Sequence, residues 1–231
     1  MTYPDAINVL DHGLVRLVDH MGSDLSVVRA ARVSYDAAWR AGEDDGSDAR
    51  LIRYLWKNKH TSPFEAVEFQ FEVKAPIFVF RQWHRHRTWA FNELSARYRE
   101  LPSEFYMPDP ALIGVQATNN KQARVVGDLS ESEVIDRTLE TRMLKEACEN
   151  AFGTYRHLLN RGWPRELARS VLPVNTYSHM FAKIDLRNLL GFLDLRLHEH
   201  AQYEIRVYAE AMLQLARSVA PVCIEAWENG R

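Results

Sequence analysis

Residues 81–99, RQWHRHRTWAFNELSARYR, hold five arginines and two histidines, with Glu93 the only acid among them. Guanidinium forks match carboxylate and phosphate geometry. The segment therefore reads either as a solvated basic face or as a site for an anion. The 231-residue chain carries a formal net charge of −2, so an anion site must be a local concentration of charge rather than a property of the whole surface. Arg169 in LARSVLP, and Arg187 and Arg196 in DLRNLLGFLDLR, extend the set of candidate cations. A phosphate held by one guanidinium and one backbone N–H gains roughly 3–6 kcal/mol from charged hydrogen bonds. Micromolar affinity needs about 8 kcal/mol, so flat aromatic contacts must supply the remainder. Arginine interleaved with Trp and Phe also suits single-stranded nucleic acid, a reading the net acidity disfavours.

Other chemistries have weaker support. Cys148 and Cys223 are the only cysteines, form no CxxC pair and lie in apolar stretches with no arginine or histidine adjacent in sequence. They read as packing residues of a protein from a reducing compartment. Ser95 lies in NELSARY without the GxSxG elbow of a serine hydrolase. His84 and His86, and His198 and His200, form two HxH pairs. Both fall in segments that read as helix or helix end, where alternate residues diverge by about 200°. Arg85 and Arg87 also flank the first pair and would repel a divalent cation, so no metal site is expected. A histidine-metal hydrolase is the remote alternative.

These residues must be held by an α+β fold with a mixed or antiparallel sheet and long C-terminal helices, read as one domain over residues 1–231. INVLDHGLVRLVDHMG reads as two strands around Asp11-His12-Gly13. Helices are expected over residues 23–35 and 47–60. Val67, Phe69, Phe71 and Val73 alternate with polar residues, which predicts a half-buried strand over 65–76. Pro76 suits the first turn of a helix running to Arg87, and residues 88–98 read as an irregular loop leading into a strand. The segments 40–48 and 113–128 read as exposed loops. A capping box from Ser130 to Glu133 opens a long helix that Gly162 closes. Its apolar positions, from Ile135 and Leu139 to Tyr155 and Leu158, follow the helical period. A short helix from Pro164, a strand over 175–185 and helices over 186–197 and 199–220 complete the chain. The N-terminus lacks a basic and apolar leader pattern, and no apolar run approaches the roughly 20 residues that span a bilayer. The expectation is a soluble, cytoplasmic protein with no membrane partner.

RHRTWAFNELS is Arg-His-Arg, seven residues, then Ser. It resembles the signature of the flavin-dependent thymidylate synthases. Four further blocks resemble that family in the same order: LVRLVDHMGSDLSVVRAARVSYD, HTSPFEAVEFQFEVKAPIFVFRQW, PRELARSVLPVNTY and LRNLLGFLDLRLHEHAQYEIR. The resemblance implies methylation of dUMP to dTMP, with 5,10-methylenetetrahydrofolate as carbon donor and FAD, reduced by NADPH, as hydride donor. It implies no cysteine nucleophile, in keeping with two thiols that read as structural. By position it assigns FAD to Arg85, His86, Arg87, Asn92, Glu93, Arg187 and His200, and to His60, Ser62 and Glu65 of the HTSPFE block. It assigns dUMP to Gln82, Glu93, Ser95, Ala96, Arg97, Arg169 and Arg196, with Arg97 on the phosphate. Arg196 is the cation expected to face the pyrimidine, so Arg196, Ser95 and Glu93 form the expected catalytic set.

The resemblance further implies a homotetramer with active sites between subunits, and small molecules rather than nucleic acid as partners. Four positions depart from the pattern. Ala96 replaces a common glycine, Asp185 and Gly191 stand where asparagine is usual, and Trp89 is bulkier than the usual residue.

Overall fold

Two strands, β1 (Ile7–Val9) and β2 (Gly13–Met21), open the chain as an antiparallel hairpin. Gly13 allows their close turn. A Cβ there would lie 2.1 Å from the Tyr208 hydroxyl and 2.5 Å from the Val9 carbonyl oxygen. This computed structural model describes residues 5–43, 46–118, 120, 124–127 and 130–230. Helix α1 (Asp24–Arg32) follows, continued by a 3-10 turn to Tyr35, and α2 (Ser47–Lys57) packs beside it. A second 3-10 turn, Ser62–Ala66, takes the start of the segment expected as strand, so β3 is confined to Glu68–Pro76.

Phe69, Phe71, Val73 and Ala75 of β3 are fully buried. The alternating residues face the other side of the sheet, where Glu72 meets Arg16 at 2.5 Å and His179 at 2.9 Å. Helix α3 spans only Ile77–Trp83 and does not reach Arg87. Beyond the His84 amide, which bonds to Phe80, the amides of Arg85 and His86 reach back three residues, to Gln82 and Trp83. The tightened turn inserts Trp89 edge-on against Trp83, their ring centroids 5.5 Å apart. Burial of two indoles thus overrides helix continuation through a run with no apolar residue to bury. Trp89 sits in the core, packed on Trp83, Phe71 and Phe192.

The segment expected as an irregular loop leading into a strand itself holds the strand, β4 (Ala90–Glu93), with the irregular turn after it. The loop expected over 113–128 contains a small hairpin, β5 (Val115–Gln116) paired with β6 (Arg124–Val125). Helix α4 (Glu131–Asn160) keeps the capping box, with the Glu133 amide donating to the Ser130 hydroxyl and the Ser130 amide to the Glu133 carboxylate. Helix α5 (Arg165–Ala168) ends in a 3-10 turn before β7 (Tyr177–Asp185). Asp185 then caps α6 (Leu186–Arg196) by accepting from the Asn188 amide at 2.9 Å. Helix α7 (Tyr203–Val219) begins four residues later than expected. An unforeseen helix, α8 (Pro221–Glu228), follows it and buries Cys223, Ile224 and Trp227.

The sheet runs β1-β2-β3-β7-β4 with every pairing antiparallel, so the fold is α+β as expected. One large core lies between the β3–β7 face and helices α1, α3, α6, α7 and α8. A satellite core gathers Phe152, Tyr155 and Ala168 where α4 meets α5. Among the described residues no helix is long and apolar enough to cross a membrane.

Candidate active site

Strand β4 positions the first group of predicted residues. It pairs with β7 from Ala90↔Lys183 to Glu93↔Met180, and the Leu94 amide extends the ladder by donating to the His179 carbonyl at 2.7 Å. The chain then turns sharply, with the Ser95 carbonyl accepting from the Tyr98 and Arg99 amides. This turn forms one wall of a cleft of about 440 Å³ that collects Glu93, Ser95, Ala96, Arg97 and Arg169. Five of the residues assigned to dUMP thus meet, although Arg169 comes from the far side of α4 in sequence. The Glu93 carboxylate accepts from the Ser178 hydroxyl at 2.8 Å, which fixes it on the cleft floor. Arg97 lies over the Tyr98 ring.

Arg81 also lines the cleft, whereas in the sequence it stands out only as part of the basic run. Its position four residues before Arg85, on a helix short enough to be exposed on one side, is the signal that could have singled it out.

A second group surrounds the turn after α3. Arg196, at the end of α6, donates from Nε to Nε2 of His86 at 2.9 Å. His86 accepts with Nε2, so its proton resides on Nδ1. Burial, and then the Arg196 guanidinium, push the His86 pKa down to about 4. The ring also packs edge-on against Phe192 at 4.8 Å. His86 is therefore neutral near pH 7 and holds one edge of Arg196, leaving the terminal nitrogens for a ligand. His84 is pushed below the ordinary histidine range by burial, opposed by Glu93 and aided by Arg81. The two histidines of the HxH pair address different rings, His84 facing Phe91 and His86 facing Phe192.

A third group lies at the 3-10 turn of the HTSPFE block, where Glu65 pairs with Arg187 of α6. His60 and Ser62 flank it and are exposed, as is Asn92 on β4. His200 sits apart, beside Gln202 and Tyr203 at the start of α7, and is exposed rather than packed in the core. Gln82 points toward the same region by donating to Gln202. Of the departures, Asp185 is engaged as the α6 cap. Gly191 is exposed, and an added Cβ would meet nothing within 4 Å.

The charge pattern bears on the two readings of the basic segment. Arg81, Arg85, Arg87, Arg97, Arg169 and Arg196 form no ion pair among the described residues. Arginines elsewhere, such as Arg16, Arg32, Arg53 and Arg217, have carboxylate partners. Three of the first set, Arg81, Arg97 and Arg169, meet in the cleft beside the single carboxylate of Glu93, and such a local excess of cations raises the potential and attracts an anion. Both thiols are remote from this chemistry. Cys148 contacts Asn175, and burial followed by Asp24 pushes the Cys223 thiol far above its ordinary pKa.

Comparison with known proteins identifies the family. Flavin-dependent thymidylate synthase of Thermus thermophilus is 47% identical over 229 residues, covering 99% of this chain and 80% of the relative. The Rickettsia conorii protein of the same name is 44% identical over 239 residues, covering 98% and 79%. The crystal structure of a UMP/dUMP methylase, PolB, from Streptomyces cacaoi with bound 5-Br dUMP superposes with a TM-score of 0.86. It is 42% identical and covers 96% of this chain and 97% of that one. Residues 16–222 match the family described as thymidylate synthase complementing protein, so this chain, an enzyme by its relatives, belongs to the family of the flavin-dependent thymidylate synthases.

Proposed function

We propose that the chain methylates dUMP to dTMP, taking the carbon from 5,10-methylenetetrahydrofolate and reducing equivalents from NADPH through FAD. The observation that carries this reading is the cleft where Arg81, Arg97 and Arg169 meet Glu93 and Ser95, with Arg196 oriented by a neutral His86. Arg97, Arg169 and Arg81 receive the nucleotide phosphate, each charged hydrogen bond contributing roughly 1.5–3 kcal/mol. Glu93, held by Ser178, accepts a ligand hydroxyl or N–H. The terminal nitrogens of Arg196 lie against the pyrimidine and stabilise negative charge that develops on its carbonyl oxygens.

The residues present fit a dinucleotide pyrophosphate. Arg85 and Arg87 are exposed, lack carboxylate partners among the described residues and follow one another on a single turn, with Arg187, Glu65, His60, Ser62, Asn92 and His200 completing the set. Bound there, FAD supplies the hydride that converts a transferred methylene into a methyl group. Methylation replaces the hydrogen on pyrimidine C5, which leaves as a proton.

The cleft, the Glu65–Arg187 pair and His200 lie at different places on the protomer, and His200 lines a separate cavity. This separation supports sites completed between subunits of a homotetramer. The covering surface is at hand. Ile135, Leu139 and Met143, spaced four apart on α4, are 60%, 54% and 68% exposed.

The test is tritium release from [5-³H]dUMP, anaerobically, with methylenetetrahydrofolate and NADPH. Release with dTMP formation that requires FAD and persists in Cys148→Ala and Cys223→Ala is expected. FAD-independent release, or release abolished by either cysteine change, would overturn the reading. The Streptomyces cacaoi relative has also been solved with 5-Br UMP, so UMP in the same assay tests whether a ribose 2′-hydroxyl is admitted.

A further inference from the structure

Glu204 is 2% exposed, yet it carries a carboxylate in the first turn of α7. Three donors converge on it. Arg124 of β6 reaches Oε1 at 3.0 Å, the Tyr106 hydroxyl reaches Oε1 at 3.2 Å, and Nε2 of Gln202 reaches Oε2 at 2.9 Å. Gln202 occupies the N-cap position of α7 but makes no side-chain cap. Its amide is directed elsewhere. Oε1 of Gln202 accepts from Nε2 of Gln82, on the last turn of α3.

The direction of this chain of bonds follows from charge. An ionised carboxylate only accepts, so Gln202 must turn its nitrogen toward Glu204 and its oxygen toward Gln82. Gln82 must then turn its own nitrogen toward Gln202, which leaves Oε1 on the opposite side. An isolated glutamine can flip its amide at little cost. Here a buried, triply satisfied carboxylate two residues away removes that freedom.

We propose that Glu204 and Gln202 are positioning residues that lock the flip of the Gln82 carboxamide, so that Gln82 offers a hydrogen-bond acceptor and selects a donor group on the bound nucleotide. The inference rests on the assignment of Gln82 to the nucleotide site. The donors a uridine nucleotide can offer are the sugar hydroxyl and the imide N3–H. A cytosine ring presents an acceptor at N3 and would meet the Gln82 oxygen with repulsion. The relay also ties the β5–β6 hairpin, through Arg124, to substrate choice.

The experiment measures kcat and KM for dUMP, 2′,3′-dideoxyuridine 5′-monophosphate and N3-methyl-dUMP in wild type, Gln82→Leu, Gln202→Leu and Glu204→Gln. In the wild type, removal of the recognised donor is expected to raise KM about tenfold. In Gln82→Leu that penalty disappears. Gln202→Leu, a change at an exposed position, and Glu204→Gln are expected to raise KM for dUMP several-fold. They shrink the analogue penalty to under about threefold, with the loss falling on KM rather than kcat. Combined with Gln82→Leu, each adds nothing further.

If Gln82→Leu leaves both dUMP and analogue kinetics unchanged, Gln82 does not meet the nucleotide and the site assignment itself is wrong. If Gln82→Leu behaves as expected while Gln202→Leu keeps the full analogue penalty, or adds to Gln82→Leu, the relay is overturned and the assignment stands. Should Glu204→Gln fail to fold, Gln202→Leu alone decides the outcome.

Discussion

At the residue scale, the bond from Arg196 to His86 makes a prediction about protons. The folded pKa of His86, about 4, lies below the ordinary histidine value of 6.5. Between those values the unfolded chain binds a proton that the folded chain does not. The stability contributed by neutral His86 is therefore present above about pH 6.5 and is lost as pH falls through that window toward 4. NMR of the imidazole should show the Nδ1–H tautomer at pH 7 and a titration midpoint near 4. A midpoint at the ordinary value would mean that Arg196 is not held there. Sequence alone offered no route to this contact, because the partners are 110 residues apart and meet only when α6 packs behind the turn. What it did offer was residue type. Arg85 and Arg87 stand out within the RHRTWAFNELS pattern, and the structure brings Glu93, Ser95, Ala96, Arg97 and Arg169 to one cleft. The Gln82–Gln202 contact was likewise hidden, being a tertiary pairing of two polar residues with no spacing signature.

At the element scale, strong periodic signals were legible and weak ones were not. β3 alternates cleanly and α4 opens on a capping box, so both were predicted with their type correct. β4 is four residues long, sits at the sheet edge and follows a basic run, so its alternation was too short to outweigh its composition. α3 stopped early because tertiary burial of Trp89 outweighed local helix preference. The β1–β2 hairpin depends on a single missing Cβ. Gly13→Ala is expected to cost roughly 1–3 kcal/mol, read by urea denaturation, since overpacking strains well-packed sites by about that amount. Adding Tyr208→Phe should recover part of the loss by removing the nearest atom, but not all, because the Val9 carbonyl remains at 2.5 Å. Full tolerance of Gly13→Ala would show that the turn relaxes freely.

At the scale of the whole molecule, α4 is the outlier. Its 30 residues extend about 45 Å, yet Cys148, Phe152 and Tyr155, all in its C-terminal half, are its buried residues. The apolar period that the sequence shows at Ile135 and Leu139 is real, but within one chain it faces outward. Each such side chain contributes roughly 1.5–3 kcal/mol when fully buried, which makes the stripe a strong candidate for the subunit contact. Ile135→Glu with Leu139→Glu is expected to convert a tetramer into smaller species in analytical ultracentrifugation with FAD present. A wild type that is monomeric at micromolar concentration would refute the assembly.

Strand β7 also acquires a meaning at this scale. Ser178, near its start, steadies the carboxylate of the cleft, and Asp185, its last residue, caps the helix that carries Arg187 and Arg196. The strand is in effect a ruler of about 3.3 Å per residue laid between the cleft and the helix that carries Arg187 and Arg196. Its register, unlike the path of a loop, fixes which face each side chain takes. One inserted residue would lengthen the gap and turn every downstream side chain to the wrong face.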